Sequence, residues 1–575
     1  MKLGAPFVSI KTRAALPDRW DALALLLVLG LLIFLAEASS GALQPLSTVR
    51  SAPISLDPGH LPLYAARTTL RMLLAMGLSL LFTFTYATLA AKNRRAERIL
   101  IPLLDILQSV PILGFISVTV VFFMSLAPGR VLGAEFAAVF AIFTSQAWNM
   151  AFSFYQSLRT VPVELAEAAQ SFHLSPWRRF WRLDAPFATP ALIWNMMMSM
   201  SGGWFFVVAS EAITVGNTNI TLPGIGSYIA LAIQKQDMTA IAWAIGAMLV
   251  VILTYDQLLF RPLVAWSDRF RFEQQMRAPP PRSWVLTILR RSQLVARTTG
   301  LLATLWRLGT PAEMRSAPRL TTIERPANPW VDRLWAVVPV ALAVGIVWES
   351  ARFVLSALTF VDVVVAFEAG LLTMVRVLVL IALASVIWVP IGTWVGIRPD
   401  IARIVGPVAQ IAAAFPANLL FPLAVSGIVA FRLNPNVWLS PLMILGTQWY
   451  ILFNVVAGAS SLPTELRDVG TNLRVRGLLW WRKIGIPAVL PFYVTGAITA
   501  SGGSWNASIV SEVASWGDEH LQATGIGAYI AQATSAGDFH RVILGIAVMS
   551  FFVVVINRAF WRPLYRYAER RFRLS

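Results

Sequence analysis

The chain has 575 residues, 57% of them hydrophobic and only 13% charged, with no cysteine and a net charge of +18. A soluble domain carries about 25% charged residues, so there is too little polar surface to wet a globule of this size, and membrane spans are indicated instead. The absence of cysteine excludes a disulfide framework and thiol chemistry. The positive charge is nearly all arginine, the only lysines being Lys2, Lys11, Lys92, Lys235 and Lys483, which fits Arg-biased cytoplasmic loops better than a nucleic-acid face.

Apolar stretches of about 20 residues, the length that crosses about 30 Å of hydrocarbon, are predicted at roughly 20–37, 66–91, 100–125, 132–158, 187–211 and 239–260. The second half repeats them at roughly 333–351, 369–396, 404–430, 437–458, 489–513 and 541–560. Basic residues mark alternate gaps: Lys92, Arg94 and Arg95 after the second span, Arg178, Arg179 and Arg182 after the fourth, Arg398 and Arg403 after the eighth, and Arg562, Arg566 and Arg570 after the twelfth. The positive-inside rule then places both termini in the cytoplasm. The first span, with its basic arm and Ala36-Glu37-Ala38, has the look of a signal peptide but is read as an uncleaved helix.

The two halves are copies. From Glu164 to Pro262, adding 301 to a residue number reaches a matching position without a gap: Glu164 to Glu465, Pro186 to Pro487, Trp204 to Trp505, Glu211 to Glu512 and Asp237 to Asp538. The run Gly224-Ile225-Gly226-Ser227-Tyr228-Ile229-Ala230 returns as Gly525-Ile526-Gly527-Ala528-Tyr529-Ile530-Ala531. A repeat of this length is a domain rather than a solenoid unit. The expected division is a first module at 1–262, a linker at 263–331 and a second module at 332–575. The linker is Arg- and Pro-rich, and Trp284, Ile288, Val295, Leu302 and Trp306 recur near helical spacing. That pattern predicts an amphipathic helix on the inner leaflet, the plainer alternative being a tether.

Between the fourth and fifth spans of each half lies a patterned cytoplasmic loop, 161–186 and 462–487. Pro162 and Pro463 precede a helix start, with Glu164 and Glu465 in its first turn, as suits a helix N-terminus. The first copy contains Glu167-Ala168-Ala169 and ends at Pro186; the second contains Asp468-Val469-Gly470 and ends at Pro487. This segment resembles the EAA loop of permease subunits of ATP-binding-cassette importers. The position that the family fills with glycine holds His173 and Arg474 here. The segment Leu104-Asp105-Ile106-Leu107-Gln108-Ser109-Val110-Pro111, the carboxylates Glu211 and Glu512, and the Gly-Ile-Gly-x-Tyr-Ile runs are similar to the nitrate/sulfonate/taurine-type, binding-protein-dependent permeases.

The resemblance implies an all-α integral membrane protein of two homologous six-helix permease modules, about twelve transmembrane helices, with a fold like that of type I importers. Glu164, Glu167, Ala168, Ala169, Glu465, Asp468 and Gly470 would couple to two cytoplasmic ATPase subunits, identical or different. ATP and magnesium would reside on those partners, and no cofactor or metal is expected in this chain: the phosphate-binding pattern Gly-x-x-x-x-Gly-Lys-Ser/Thr does not occur. A periplasmic or lipid-anchored solute-binding protein and membrane lipids complete the expected partners, with no nucleic acid. The implied role is a transport subunit, not an enzyme, in a bacterial inner membrane. Its implied cargo is a small oxyanion or small organic solute. The rivals are an ion-coupled secondary transporter of six plus six helices, a non-transporting scaffold, and a fused permease of the iron or thiamine type.

Polar residues inside spans are functional suspects by default. Asp105 and its repeat position Gln410, Trp204 and Trp505, and Glu211 and Glu512 are candidates for the translocation path. The bland alternatives are a helix–helix hydrogen bond for the first pair, ordinary packing for the second, and carboxylates reaching interfacial water for the third. Arg71 and Arg376 are expected to snorkel outward.

Overall fold

A computed structural model of the chain describes residues 19–39, 54–215, 218–270, 283–300, 329–462 and 464–572. Backbone contacts divide it into two compact units: Met1–Glu37, Val161–Pro190 and Tyr255–Thr321 form one, and Ala38–Thr160, Ala191–Thr254 and Thr322–Ser575 the other. Helices fall at all twelve expected positions. By length and composition, seven of the described helices suffice to cross a membrane, or up to nine when each bent pair counts as one span.

In chain order the first copy contributes α1 (Arg19–Ser39), α2 (Leu61–Phe82), α3 (Arg94–Ser109), α4 (Ile112–Leu126), α5 (Val131–Arg159), α6 (Val163–Ser171) and α7 (Ala185–Glu211). A hairpin of β1 (Ala212–Val215) and β2 (Thr218–Thr221) follows, then α8 (Ile225–Gln234) and α9 (Met238–Tyr255). The linker holds α10 (Trp284–Arg291). The second copy has α11 (Pro329–Leu355), α12 (Phe360–Gly396), α13 (Pro399–Ala414), α14 (Phe421–Ala430), α15 (Gln448–Ser460), α16 (Thr464–Asn472) and α17 (Ile486–Ser511). The hairpin of β3 (Val513–Trp516) and β4 (Glu519–Gln522), then α18 (Ile526–Ala536) and α19 (Phe539–Ile556), complete it. Both hairpins are antiparallel, with Ala212 opposite Thr221 and Val513 opposite Gln522. They are the only strands among the described residues.

Local chemistry sets many of these boundaries. The Asn93 side chain accepts from the amides of Arg95 and Ala96, at 2.9 and 3.3 Å, and starts α3. Thr359 and Asp362 form a capping box at the head of α12. The matched aspartates Asp237 and Asp538 cap α9 and α19 by accepting from Ala240 N and Arg541 N. The repeat extends to irregularities: π-helical turns occur at Phe180–Asp184 and Trp481–Gly485, and again at Asp256–Phe260 and Asn557–Trp561.

The third expected span is broken in both copies. Proline lacks an amide hydrogen and forces the preceding residue toward an extended conformation. Accordingly Val110 (ψ 128°) precedes Pro111 and Phe415 (ψ 128°) precedes Pro416. In the second copy the two pieces meet at a 78° bend. The fourth span of that copy also bends, by 45° before α15. Each break frees backbone groups that need partners away from water, and the opposite copy supplies them. Asn506 of α17 accepts from Ile112 N at 2.7 Å. Ser201 of α7 donates to the Ala413 carbonyl; in the other direction, Asn418, just past the second break, donates to the Phe205 carbonyl of α7 at 3.1 Å. The same seam holds the larger unit's core, where Ile112, Leu113 and Ile116 of α4 share one apolar cluster with Trp505, Leu544, Val548 and Phe552.

In the smaller unit α1 meets the linker. Asp21, only 2% exposed, accepts from Ser292 Oγ at 2.7 Å and Leu294 N at 2.9 Å. Trp284, Ile288 and Val295 of the expected linker helix fall on α10 and the turn of helix after it, whereas Leu302 and Trp306 lie outside the described residues.

Candidate functional site

Each copy ends its fifth span in a carboxylate, and each carboxylate is clasped. In the first, Glu211 is fully buried. It accepts from Thr68 Oγ1 at 2.7 Å, Arg71 Nη1 at 2.6 Å and Gly226 N at 2.7 Å. Arg71 also donates to the Pro223 carbonyl at 3.1 Å and makes a bidentate pair with Glu135, at 2.6 and 2.7 Å. Two parallel bonds of this kind are the strongest geometry that a guanidinium offers a carboxylate. The Thr68 hydroxyl in turn accepts from Ile225 N at 3.0 Å, so side chains of α2 and α7 tie down the first turn of α8.

The second copy repeats the clasp with Asn436 in place of Glu135 and Ala528 in place of Ser227. Glu512 accepts from Thr373 Oγ1 at 2.7 Å, Arg376 Nη1 at 3.2 Å and Ala528 N at 3.1 Å. Ile526 N donates to Thr373 at 3.0 Å, and Arg376 donates to the Thr524 carbonyl at 2.7 Å. Where the first copy has Glu135, the second has Asn436, which accepts from Arg376 Nη2 at 3.0 Å and Thr524 N at 2.8 Å. The glycines are fixed by this close approach. A Cβ on Gly224 or Gly525 would enter the clasped carboxylate, and one on Gly226 or Gly527 would run into the carbonyl oxygen of Val208 or Ser508.

A separate cavity of about 80 Å³ opens at the seam of the copies, within the larger unit. Ser201, Phe205 and Phe206 of α7 face Thr447 and Tyr450 of the fourth span, Asn506 of α17, and Ala413 and Phe415 at the helix break. Among the described residues, no charged side chain lines it. Four aromatic residues, Phe205, Phe206, Phe415 and Tyr450, contribute to the wall. Its polar atoms are the Tyr450 hydroxyl beside Gly202 and the side chains of Ser201, Thr447 and Asn506, which also bond to neighbouring protein groups.

The short helices of the two loops form as expected. In α6, Glu164, Glu167 and Ala168 are exposed while Ala169 is buried; in α16, Glu465 and Asp468 are exposed while Gly470 is buried. Each helix ends in a left-handed residue, His173 at φ 49° and Arg474 at φ 50°. The following amide returns to the buried small residue: Leu174 N to Ala169 O at 3.1 Å, and Val475 N to Gly470 O at 2.9 Å. This geometry gives a physical reason for a glycine at that position.

The structure separates the remaining candidates. Glu211 and Glu512 do not reach interfacial water, and Arg71 and Arg376 do not snorkel; the pairs turn inward and satisfy one another. Neither carboxylate lines the seam cavity. Trp204 and Trp505 are each 1% exposed and packed in the interior rather than on the cavity wall. Gln410 lies one turn from the cavity residue Ala413, its Nε2 directed at Met197 Sδ across the seam. Asp105 lies on α3, its side chain outside the described residues. Sequence reasoning passed over Thr68, Thr373, Glu135, Asn436 and the cavity residues Thr447, Tyr450 and Asn506. One signal was present: Thr68 and Arg71 recur as Thr373 and Arg376 at an offset of 305, the offset that also relates Asp105 to Gln410.

Comparison with known proteins agrees with the duplication. The profile of the family described as binding-protein-dependent transport system inner membrane component matches twice, over residues 61–263 and 388–573. The nitrate import permease protein NrtB of Leptolyngbya laminosa is 25% identical over 182 residues, covering 32% of this chain and 62% of that protein. The bicarbonate transport system permease protein CmpB of Synechococcus elongatus is 26% identical over 31% of this chain and 60% of its own length. The glycine betaine/carnitine transport permease protein GbuB of Listeria monocytogenes is 27% identical over 29% of this chain and 54% of its own length. The matched stretch thus spans about six-tenths of the nitrate and bicarbonate relatives and just over half of the betaine one.

Proposed function

Since the chain belongs to the binding-protein-dependent transport system inner membrane component family, we propose that it is the fused permease of an ATP-driven importer. In this reading modules 1–262 and 332–575 form the solute path between them, and the linker 263–331 joins them inside the cell. Both termini are cytoplasmic. The observation that carries it is the paired helix and left-handed turn of α6 and α16, each exposing its carboxylates while a small residue anchors it from beneath. Glu164, Glu167 and Ala168 in one copy, and Glu465 and Asp468 in the other, present this face to two ATPase subunits; Ala169 and Gly470 hold it in place. Closure of the ATPase pair rocks the modules, and the seam cavity alternates between the two sides of the membrane.

The cargo that fits best is a small oxyanion, received from a solute-binding protein outside. The nitrate and bicarbonate relatives support this class, and so does a cavity that offers hydroxyl groups and, among the described residues, no fixed cation. A neutral site holds an anion weakly enough for it to leave, as transport requires. The aromatic wall of Phe205, Phe206, Phe415 and Tyr450 favours a second cargo, a quaternary ammonium held by ring faces, in line with the betaine relative.

The test is reconstitution into proteoliposomes with the ATPase pair and binding protein. The expected result is ATP-dependent uptake of nitrate or bicarbonate that falls about tenfold in Tyr450→Phe, the loss of one bond to an anion. Betaine uptake indifferent to Tyr450→Phe supports the second cargo. Uptake driven by an ion gradient without any ATPase overturns the importer itself.

A further inference from the structure

We infer that the linker is an anionic-lipid anchor: α10 and the helical turn after it dock on phospholipid headgroups through Arg290, Arg291 and Arg297, with Arg269 beside them. The inference rests on the cytoplasmic position proposed for the linker and adds a partner that the transport reading does not require.

The smaller unit places α10 beside the first turn of α1, the first expected span, and the end of the span Met238–Phe270. On one side, the buried Asp21 in the first turn of α1 holds Ser292 and Leu294. Beyond that turn α1 is apolar and exposes Leu25 (51%), Leu26 (69%) and Ile33 (68%), a surface suited to lipid. On the other side, α10 packs against the helical end of the span Met238–Phe270. A short helix tethered at the ends of these helices is within reach of the headgroups, and its charge decides whether it settles on them.

Its two faces differ. Val285 and Ile288 are buried, whereas Trp284, Thr287, Arg290 and Arg291 are exposed, followed by exposed Leu294 and Arg297. The Arg291 guanidinium also rests 4.8 Å above the Trp20 ring. Arg269, stacked between Trp266 at 4.6 Å and Phe270 at 4.9 Å, lies within Coulomb range of Arg290. Among the described residues, no carboxylate forms an ion pair with Arg269, Arg290, Arg291 or Arg297. Like charges gathered in this way lower their energy by meeting phosphate. A soluble polyanion would satisfy the arginines but has no use for an exposed Trp284 and Leu294; a leaflet of anionic lipid uses both.

The cysteine-free chain allows a direct test. Thr287→Cys, at the centre of the exposed face, takes an environment-sensitive fluorophore in the full-length protein. The protein is embedded in nanodiscs of phosphatidylcholine alone or mixed with phosphatidylglycerol, and the fluorophore is read by quenching from nitroxide-labelled lipid. Strong lipid quenching is expected only in the anionic discs. Each arginine contributes about a fivefold shift toward the docked state, so R290Q/R291Q/R297Q together should shift it about 100-fold toward water, whereas R290K/R291K/R297K should keep it docked. Equal quenching in both lipids, or a fluorophore open to aqueous iodide in both, overturns the proposal. So does protection by inorganic phosphate in neutral discs, which marks a soluble-anion site, or protection only when ATPase subunits are added, which marks a protein contact. No outcome depends on transport, so the anchor and the importer can fail separately.

Discussion

The two clasps share their threonine, arginine, glutamate and glycines and differ chiefly in one side chain, a carboxylate in the first and an amide in the second. Around Arg71 stand two carboxylates, Glu211 and Glu135; around Arg376 stand one carboxylate, Glu512, and the amide of Asn436. The first clasp sets two carboxylates against one guanidinium. The second is neutral and held more by hydrogen bonds, with a longer arginine–glutamate contact of 3.2 Å against 2.6 Å. A buried ion pair barely repays its desolvation, but removing one partner strands the other. The copies therefore look alike while responding differently to damage.

Removal of the arginines should separate them most. Arg71→Leu leaves two carboxylates without their cation and is expected to destabilise by about 3–5 kcal/mol. Arg376→Leu leaves one carboxylate that still holds a hydroxyl and an amide, for about 1.5–3 kcal/mol. Thermal unfolding of the purified full-length chain in detergent measures both, and equal losses would erase the proposed difference. Next come Gly226→Ala and Gly527→Ala. Both force a methyl group against a carbonyl oxygen, so the expected loss is about 1–3 kcal/mol, alike in the two copies because this part of the clasp is shared. A large disparity would mean that the backbones yield unequally.

Exchange of the differing residue sharpens the comparison further. Glu135→Asn turns the first clasp into a copy of the second and should cost about 1–2 kcal/mol. It should also shrink the penalty of Arg71→Leu in a double-mutant cycle, since only one carboxylate then remains to be stranded. Additive losses would show that Glu135 and Arg71 act independently. The smallest effect is expected at the loop helices. His173→Gly and Arg474→Gly relieve a left-handed backbone and should each raise stability by up to about 1 kcal/mol, visible as a rise in unfolding temperature; a fall would mean that the side chains hold the turn.

What could be read from the residues, and what could not, divides along the range of the interaction. Pro111 and Pro416 foretell their breaks because proline acts on its immediate neighbours. The helices of the loops, and the reason that glycine suits positions 173 and 474, are likewise local. The duplication is visible because it needs only comparison of the chain with itself. Glu211 and Arg71 were misjudged for the opposite reason: the environment of each is set by a partner 140 residues away. A lone carboxylate at a helix end looks the same in sequence whether it meets water or a guanidinium. The hairpins were missed because four-residue strands in an apolar run carry too short an alternation to detect. The seam cavity draws its walls from both copies, so no single segment announces it.

The helix breaks carry a consequence for how the protein is made. The Ile112 amide finds its acceptor on Asn506, 394 residues further along the chain. At about 5–20 residues per second, a ribosome needs about 20–80 s to supply it. During that interval the nascent first module holds an open amide that must borrow a partner from water, lipid headgroups or an insertion factor. A first module released alone would lack the Asn506 acceptor. Joining the copies in one chain does more than fix a one-to-one ratio of modules: it makes every early module be followed by the segment that carries its acceptor.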